Sequence, residues 1–311
     1  MPLIIEGNER NLISKIFIRK NAKYNNPYKY RDVLERLATE YKFEIYNLNE
    51  INAHPQLTFL VEGCGIENIQ YSDKKVCLVY MTDFRHLYNK YIEQADHVIF
   101  PNIHYAQFHQ TLSPKNLYLG SPKYDIELDK KNILKKYDLT NNKKCVILFP
   151  RNKDLHLINL NLIYETLKSQ GYELLVKTRG KDGVANASHR GDKYFVDTSW
   201  FPHTTMELIE ISDFVINFDS TSVEEAIMLN TPLINFKIKG GPRGASNNLP
   251  FLLKSPFCRQ MDKQFTVSDI RNSINFITQT DFSEDFKTCQ NTYLHVNRSS
   301  SDILDLLARN K

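Results

Sequence analysis

Short apolar runs of strand length alternate with amphipathic stretches of helical spacing along the chain. The predicted strands are the apolar runs at residues 15–19, 43–48, 58–61, 75–81, 97–101, 116–119, 144–149, 173–178, 194–196, 214–218 and 232–236. The predicted helices cover residues 28–41, 87–94, 104–112, 160–170, 204–211, 268–277, 284–294 and 301–308, and another follows residue 222. Runs that are apolar throughout are typical of parallel strands buried on both faces. Their alternation with helices predicts a doubly wound α/β fold.

Two shorter patterns give local predictions. Thr204 and Glu207 have the spacing of a capping box, in which two side chains satisfy the free N–H groups at a helix start. The glycines between residues 237 and 248 predict a glycine-rich loop.

The most informative stretch is SDFVINFDSTSVEEAIMLNTPLINF at residues 212–236, which predicts a strand, a polar turn, a helix and a second strand. Four polar residues stand where the first strand passes into the helix: Asp219, Ser220, Thr221 and Ser222. Open α/β sheets bind ligands at the carboxyl ends of their strands. Hydroxyl groups and the free N–H groups of a helix start suit an anion there. The alternative is that these residues cap the helix and that Glu225, one turn further on, is a solvated surface residue.

This stretch also carries a family resemblance. Glu225-Ala226, followed after a gap by Pro232-Leu233-Ile234, resembles the "EA…G.PVI" segment of GT-B-fold glycosyltransferases. In those enzymes the glutamate binds the ribose of a sugar nucleotide, which implies that role for Glu225. The longer pattern SDFVINFDSTSVEEA resembles the "sD.lITDySSv.fEa" segment of CDP-glycerol glycerophosphotransferase-like proteins, which share the fold. The resemblance implies an α/β chain with two Rossmann-like doubly wound domains facing a cleft.

The chain length of 311 residues favours two domains. We expect an acceptor-side Rossmann-like domain at residues 1–125 and a polar connection at 126–143. A nucleotide-donor-binding Rossmann-like domain then covers residues 144–290, and a helical tail covers residues 291–311.

Asp83 and Arg85 are the candidate catalytic residues, because they follow the strongest predicted strand of the first domain. A carboxylate there could take a proton from an acceptor hydroxyl, and Arg85 would keep it ionised or hold a phosphate. Thr82-Asp83-Phe84-Arg85 resembles the TDIR segment of phage DNA β-glucosyltransferase, in which the aspartate is the base. The CDP-glycerol family carries His-Gly in this neighbourhood, so the aspartate departs from that family's pattern. A helix N-cap is the alternative role for Asp83.

Basic residues near the ends of predicted strands are candidates for binding the donor. Arg151 offers a planar fork for phosphate, and Lys153 beside it offers a point charge. Lys177 matches the lysine of the "K.HP" segment of the CDP-glycerol family, and Arg179 stands where that family has histidine. Since arginine neutralises a leaving diphosphate but is no acid or base, Arg179 favours glycosyl transfer. Arg243 in the glycine-rich loop could approach the donor, with a plain surface turn as the alternative. Phe201 stands where related enzymes stack or hydrogen-bond the base. Solvated loop charges are the alternative for part of the basic set near the strand ends.

Composition and missing motifs limit which cofactors, partners and cellular compartments we expect. The chain has no DxD pair, no P-loop and no GxGxxG fingerprint, so we expect a metal-independent enzyme that uses no cofactor beyond a nucleoside-diphosphate sugar. Five scattered cysteines without a CxxC motif favour a reducing compartment and argue against zinc. The net charge of +4 does not call for nucleic acid. Without a signal-peptide pattern or a transmembrane run, we expect a cytoplasmic protein, with the inner membrane surface as a further location.

The leading hypothesis is therefore a glycosyltransferase that moves a sugar from a nucleoside-diphosphate sugar to an acceptor hydroxyl. The acceptor is a glycan, a surface polymer or a small molecule, and hydroxymethylated DNA is a less favoured class. Two alternatives stay open. One is a polyol phosphotransferase that uses CDP-glycerol or CDP-ribitol, and the other is a non-catalytic member that binds nucleotide without turnover.

Overall fold

A computed structural model describes the chain at residues 4–6, 57–61, 74–79, 94–108, 110–121, 124, 128–149, 155, 157–178, 191–196, 203–238, 244–294, 302–303 and 306. The chain divides into two compact units. The first consists of Met1–Asp125, Ser199–Phe201 and Tyr293–Lys311, and the second consists of Ile126–Thr198 and Pro202–Thr292.

The first unit contains a parallel sheet whose described strands pair in chain order. The strands are β1 (Ile4–Glu6), β2 (Leu57–Val61), β3 (Lys74–Leu78), β4 (His97–Phe100) and β5 (Asn116–Tyr118), and helix α1 (Ile103–Phe108) follows β4. The four predicted strands between residues 58 and 119 and the helix at 104–112 are confirmed. Strand β1 was not predicted. The elements predicted at residues 15–19, 28–41 and 43–48, and nearly all of the helix at 87–94, lie outside the described residues.

The second unit contains a parallel sheet with six described strands. They are β6 (Lys144–Leu148), β7 (Glu173–Thr178), β8 (Lys193–Val196), β9 (Phe214–Asn217), β10 (Leu233–Phe236) and β11 (Cys258–Met261). Hydrogen bonding places them in the order β8-β7-β6-β9-β10-β11. Counted from β6, this is the strand order 3-2-1-4-5-6 of the dinucleotide-binding Rossmann fold. The chain therefore winds from β6 toward one edge, returns to the centre and winds from β9 toward the other edge.

The described helices of the second unit are α2 (Lys130–Lys136), α3 (Leu160–Ser169), α4 (His203–Glu210), α5 (Val223–Met228), α6 (Ala245–Asn248), α7 (Val267–Gln279) and α8 (Ser283–Tyr293), with a 3₁₀ turn at Leu252–Lys254. Five of them form two packed groups. Helix α3 packs against α7, while α4 packs against both α2 and α5. Because parallel crossovers are right-handed, connections that run toward opposite edges of a sheet lie on opposite faces. The two groups therefore cover the two faces of this sheet.

Three stacked phenylalanine rings, which we call the phenylalanine row, cross the sheet at the carboxyl ends of β6, β9 and β10. Phe149, Phe218 and Phe236 have 5%, 0% and 0% of their surface exposed. The ring centroid of Phe218 lies 5.3 Å from that of Phe149 and 5.4 Å from that of Phe236, at interplanar angles of 14° and 28°. Successive side chains of a strand point to opposite faces of the sheet. Asn217, which precedes Phe218, therefore points to the face opposite the phenylalanine row.

The predicted capping box is wrong. Helix α4 begins at His203, so Thr204 lies inside the helix. The Glu207 carboxylate instead accepts hydrogen bonds from Lys136 Nζ at 2.8 and 2.9 Å and from the Tyr137 hydroxyl. The hydrogen bond to Glu207 is the main cause that raises the pKa of Lys136. A partner about seventy residues earlier in the chain has therefore replaced the local one.

Candidate functional site

The point where the second sheet reverses its winding lies between β6 and β9. These two strands pair directly, with Leu148 opposite Asn217. Open α/β sheets bind ligands at the carboxyl ends of such a pair of strands, where the connections that follow them run to opposite faces. The predicted turn from Asp219 to Ser222 starts two residues after β9, so the structure places it at this switch point.

Asp219 fastens this turn to the start of α6. Its carboxylate accepts hydrogen bonds from the Ser246 backbone N–H at 2.7 Å and from the Ser246 hydroxyl at 2.8 Å. Its carbonyl oxygen accepts a third bond from the Ala245 N–H at 2.7 Å. The segment that directly follows Arg243 in sequence is thereby held against the turn, although Arg243 itself lies outside the described residues.

Asp219 also has an unusual environment for a carboxylate. Only 3% of its surface is exposed, and its φ of 55° lies in the left-handed region, which costs energy for a residue other than glycine. Burial raises the pKa of the Asp219 carboxyl, and the two bonds from Ser246 oppose that rise. The folded protein therefore binds this proton more tightly than the unfolded chain does.

The raised pKa predicts how an Asp219→Asn variant behaves with pH. The free energy of unfolding of the wild type should fall as pH rises from about 3.9, the value for an unfolded aspartate, through the folded pKa. The amide keeps an acceptor for the Ser246 N–H but does not ionise. Urea unfolding at a series of pH values should therefore show the variant gaining stability relative to the wild type as pH rises, up to a plateau. A difference that stays constant over the acidic range would contradict this explanation.

The hydroxyl residues of the turn bond to one another. The Ser220 and Ser222 hydroxyl oxygens are 3.1 Å apart, and the Ser222 N–H donates to Ser220 Oγ at 3.3 Å. Ser222 occupies the N-cap position of α5, yet its side chain makes no capping hydrogen bond within the described part of the chain. Helix capping therefore does not explain the presence of Ser222. It does not explain Asp219 either, because the Asp219 carboxylate is bonded to Ser246 and not to the start of α5. Ser220, Thr221 and Ser222 are all half-buried.

Two glutamates stand in the first turn of α5. Glu225, the predicted ribose ligand, is half-buried, while Glu224 has 1% of its surface exposed. The burial of Glu224 agrees with a packing role, and the ligand role of Glu225 stays a prediction.

A polar row lies on the face opposite the phenylalanine row. Asn217, Asn235 and Gln260, which we call the amide row, are register neighbours on β9, β10 and β11. On the other side of Asn217, Leu148 separates it from Lys177 on β7, so Lys177 and Asn217 stand two strands, or about 10 Å, apart. Lys177 is 8% exposed. Lys177, a predicted donor-binding residue, and the amide row thus occupy one line at the carboxyl edge of the sheet.

Sequence reasoning missed the amide row. Its signal is the repeated pattern of FVINF and PLINF, in which an asparagine interrupts each of two apolar runs at the same place. A polar residue at the same register of two buried strands predicts a cross-strand pair, since buried amides require hydrogen-bond partners.

Six of the predicted site residues lie outside the described residues, and their roles stay predictions. They are Asp83, Arg85, Arg151, Arg179, Phe201 and Arg243.

A cavity of about 590 Å³ lies at the other end of the second sheet. It opens beside Asp213 and Pro232, which precede β9 and β10, and is closed by the ends of α7 and α8 that meet near Asp281. Gln290 in its wall donates hydrogen bonds to the Ile227 carbonyl at 2.7 Å and to Asn230 Oδ1 at 2.9 Å. This cavity is therefore separate from the switch point.

Two kinds of feature are absent from the described residues. No group of three or more histidine, cysteine, aspartate or glutamate side chains in that part of the chain is arranged to hold a metal ion. Among the same residues, none of the helices combines the length and apolar character needed to span a membrane.

Comparison with known proteins identifies the fold. No family model and no curated protein matches the sequence. The structure of UDP-GlcNAc 2-epimerase from Methanocaldococcus jannaschii matches with a TM-score of 0.59 at 10% identity, over 99% of this chain and 100% of that one. The wall teichoic acid polymerase TagF matches with a TM-score of 0.61 at 14% identity, over 99% and 88%. ADP-heptose LPS heptosyltransferase II of E. coli matches with a TM-score of 0.50 at 12% identity, over 90% and 99%.

These identities show the fold and nothing finer. The chain has the α/β fold of GT-B glycosyltransferase-like proteins, with two Rossmann-like domains, as the family resemblance implied.

Proposed function

We propose that this protein is a glycosyltransferase that moves a sugar from a nucleoside-diphosphate sugar to an acceptor hydroxyl. The observation that carries the proposal is the position of the turn from Asp219 to Ser222. It lies at the switch point of a sheet with Rossmann strand order, where such sheets bind nucleotides. The residues that resemble the donor segment of GT-B glycosyltransferases are therefore at the place where a donor site is expected.

The donor would be held by groups at this edge of the sheet. The hydroxyls of Ser220, Thr221 and Ser222 would face the diphosphate, with Glu225 on the ribose and Asp219 as the anchor of the turn. Lys177 and the arginines 151, 179 and 243 would neutralise the charge that develops on the leaving diphosphate, and Phe201 would contact the base. Fixed cations aimed at a developing charge are among the strongest contributions to catalysis.

The reaction would begin at the acceptor. Asp83 would take the proton of the acceptor hydroxyl while the hydroxyl oxygen of the acceptor attacks the anomeric carbon. Arg85 would keep the Asp83 carboxylate ionised. As the new C–O bond forms, the bond from the anomeric carbon to the diphosphate oxygen breaks. Its electron pair leaves with the nucleoside diphosphate.

Neighbouring structures support the class of donor. The epimerase of M. jannaschii has been solved in complex with UDP-GlcNAc and UDP, and TagF after soaking with CDPG. Proteins of this fold thus bind nucleotide-linked substrates, which agrees with a nucleotide donor here.

The identity of the released nucleotide tests the proposal. The protein should be incubated with UDP-, CDP-, GDP- and ADP-sugars and with CDP-glycerol, together with glycan, surface-polymer and hydroxymethylated-DNA acceptors. Glycosyl transfer releases a nucleoside diphosphate from one sugar nucleotide. Release of CMP from CDP-glycerol would establish the polyol phosphotransferase instead. Donor binding without product after long incubation would favour the non-catalytic alternative.

A further inference from the structure

The amide row joins three adjacent strands through their side chains. Asn217 Nδ2 donates to Asn235 Oδ1 at 2.9 Å, and Asn235 Nδ2 donates to Gln260 Oε1 at 3.0 Å. Gln260 Nε2 in turn donates to the Leu253 carbonyl at 3.0 Å. The chain of hydrogen bonds therefore runs from the centre of the sheet to the edge strand and ends on the 3₁₀ turn beyond it.

The inner end of this row is bonded to the backbone of the turn. Asn235 Oδ1 also accepts a hydrogen bond from the Asp219 N–H at 3.0 Å, and Asn217 Nδ2 also donates to the Ser220 carbonyl at 3.0 Å. Two consecutive residues of the turn are thus tied to two neighbouring strands, at a place where Asp219 adopts a left-handed φ of 55°. A costly backbone conformation persists only when its surroundings hold it in place.

Packing alone does not account for amides at these positions. Asn217 and Asn235 have 0% and 1% of their surface exposed, and burying an amide is costly unless it is hydrogen-bonded. Asn217 Oδ1 is buried without a hydrogen-bond partner in the described part of the chain. Apolar side chains would fill the same space without that cost, so the amides serve the groups to which they donate and from which they accept.

We propose that Asn217, Asn235 and Gln260 are positioning residues that set the geometry of the turn from Asp219 to Ser222 for a nucleoside diphosphate. The identity of the ligand, a nucleoside diphosphate, rests on the proposed function. The positioning role rests on the hydrogen bonds of the amide row. The three side chains act through the turn and need not touch the donor.

An Asn235→Leu variant keeps the branching of the side chain and removes both acceptor contacts of the central amide, together with its donor contact to Gln260. We expect the dissociation constant for the preferred nucleoside diphosphate to rise on the order of tenfold, because the turn loses its backbone anchor. Hydrogen–deuterium exchange of the ligand-free protein should accelerate at residues 218–223. An Asn235→Asp variant keeps an oxygen for both Asn217 and Asp219 but has no N–H to donate to Gln260 Oε1, so its affinity should lie between that of Asn235→Leu and that of the wild type.

A Leu174→Ala variant is the matched control. Leu174 is a fully buried residue near the start of β7, away from the carboxyl edge. Its truncation should lower stability while leaving the affinity and the exchange of residues 218–223 unchanged. If Asn235→Leu changes affinity and exchange no more than this control does, the positioning role is overturned.

The exchange measurement separates this inference from the proposed function. If the wild type binds none of the nucleotides, the proposed function fails, and exchange alone decides whether the amide row holds the turn. Acceleration confined to residues 218–223 in Asn235→Leu would support that role, and unchanged exchange would overturn it. If exchange accelerates while nucleotide affinity stays at the wild-type value, the row does not position the turn for the donor.

Discussion

An Asp83→Asn variant will bind nucleoside diphosphates as the wild type does and will have lost sugar transfer. The asparagine amide has nearly the shape of the carboxylate but cannot accept the proton of the acceptor hydroxyl. General base catalysis contributes about 10²–10⁴-fold to a rate, so the turnover number should fall by at least about 100-fold. The measurement compares released nucleoside diphosphate and nucleotide affinity in the variant and the wild type.

An Asp96→Asn variant is the control for this experiment. The Asp96 carboxylate accepts a hydrogen bond from the Lys75 N–H at 2.7 Å just before β4, at the amino edge of the sheet of the first unit. Its replacement removes a carboxylate of the first unit without touching the carboxyl ends of the strands, so transfer should persist. Normal turnover in Asp83→Asn would show that Asp83 is not the base.

A Phe218→Ala variant will lose about 3–5 kcal/mol of the free energy of unfolding of the second unit. Phe218 is the central ring of the phenylalanine row and has none of its surface exposed. Truncation leaves a cavity between Phe149 and Phe236 and removes two stacking contacts. Urea unfolding followed by circular dichroism should show the midpoint falling accordingly.

Phe276→Ala provides the comparison for that loss. Phe276 lies on α7 with 40% of its surface exposed, and the Arg259 guanidinium stands 4.7 Å from its ring centroid. Its truncation removes this contact and the ring contact to Phe282, whose centroid lies 5.7 Å away, and should cost about 1–2 kcal/mol. Equal losses in the two variants would contradict the central role of the phenylalanine row.

Strands with continuous apolar character were the part of the fold that the sequence predicted well. The runs around Ile147, Val176, Ile216 and Ile234 gave β6, β7, β9 and β10, because burial on both faces leaves a pattern that local sequence shows. Strand β11 was missed because it is an edge strand. Its residues are buried, exposed, exposed and buried in turn, and such a pattern does not distinguish a strand from a loop.

Long-range side-chain partners set the limit of the sequence argument. The position of the turn at Asp219 followed from where one strand ends and a helix begins. Its anchor Ser246 lies 27 residues further on, beyond the reach of any local pattern. The capping box failed for the same reason, since Glu207 bonds to Lys136 and Tyr137.

The central claim is that the turn at Asp219 and the start of α5 form a nucleotide site, and a thermal-shift titration tests it most directly. Wild-type protein and a Glu225→Ala variant should be titrated with UDP, CDP, GDP and ADP, with Glu284→Ala, at the start of α8, as the matched control. One nucleoside diphosphate should raise the unfolding temperature of the wild type and the control, since ligand at 100 times its dissociation constant adds about 2.7 kcal/mol. The Glu225→Ala variant should need at least about tenfold more ligand to reach the same rise in unfolding temperature, because a charged hydrogen bond to the ribose is lost. No shift with any nucleotide, or equal shifts in all three proteins, would contradict the claim.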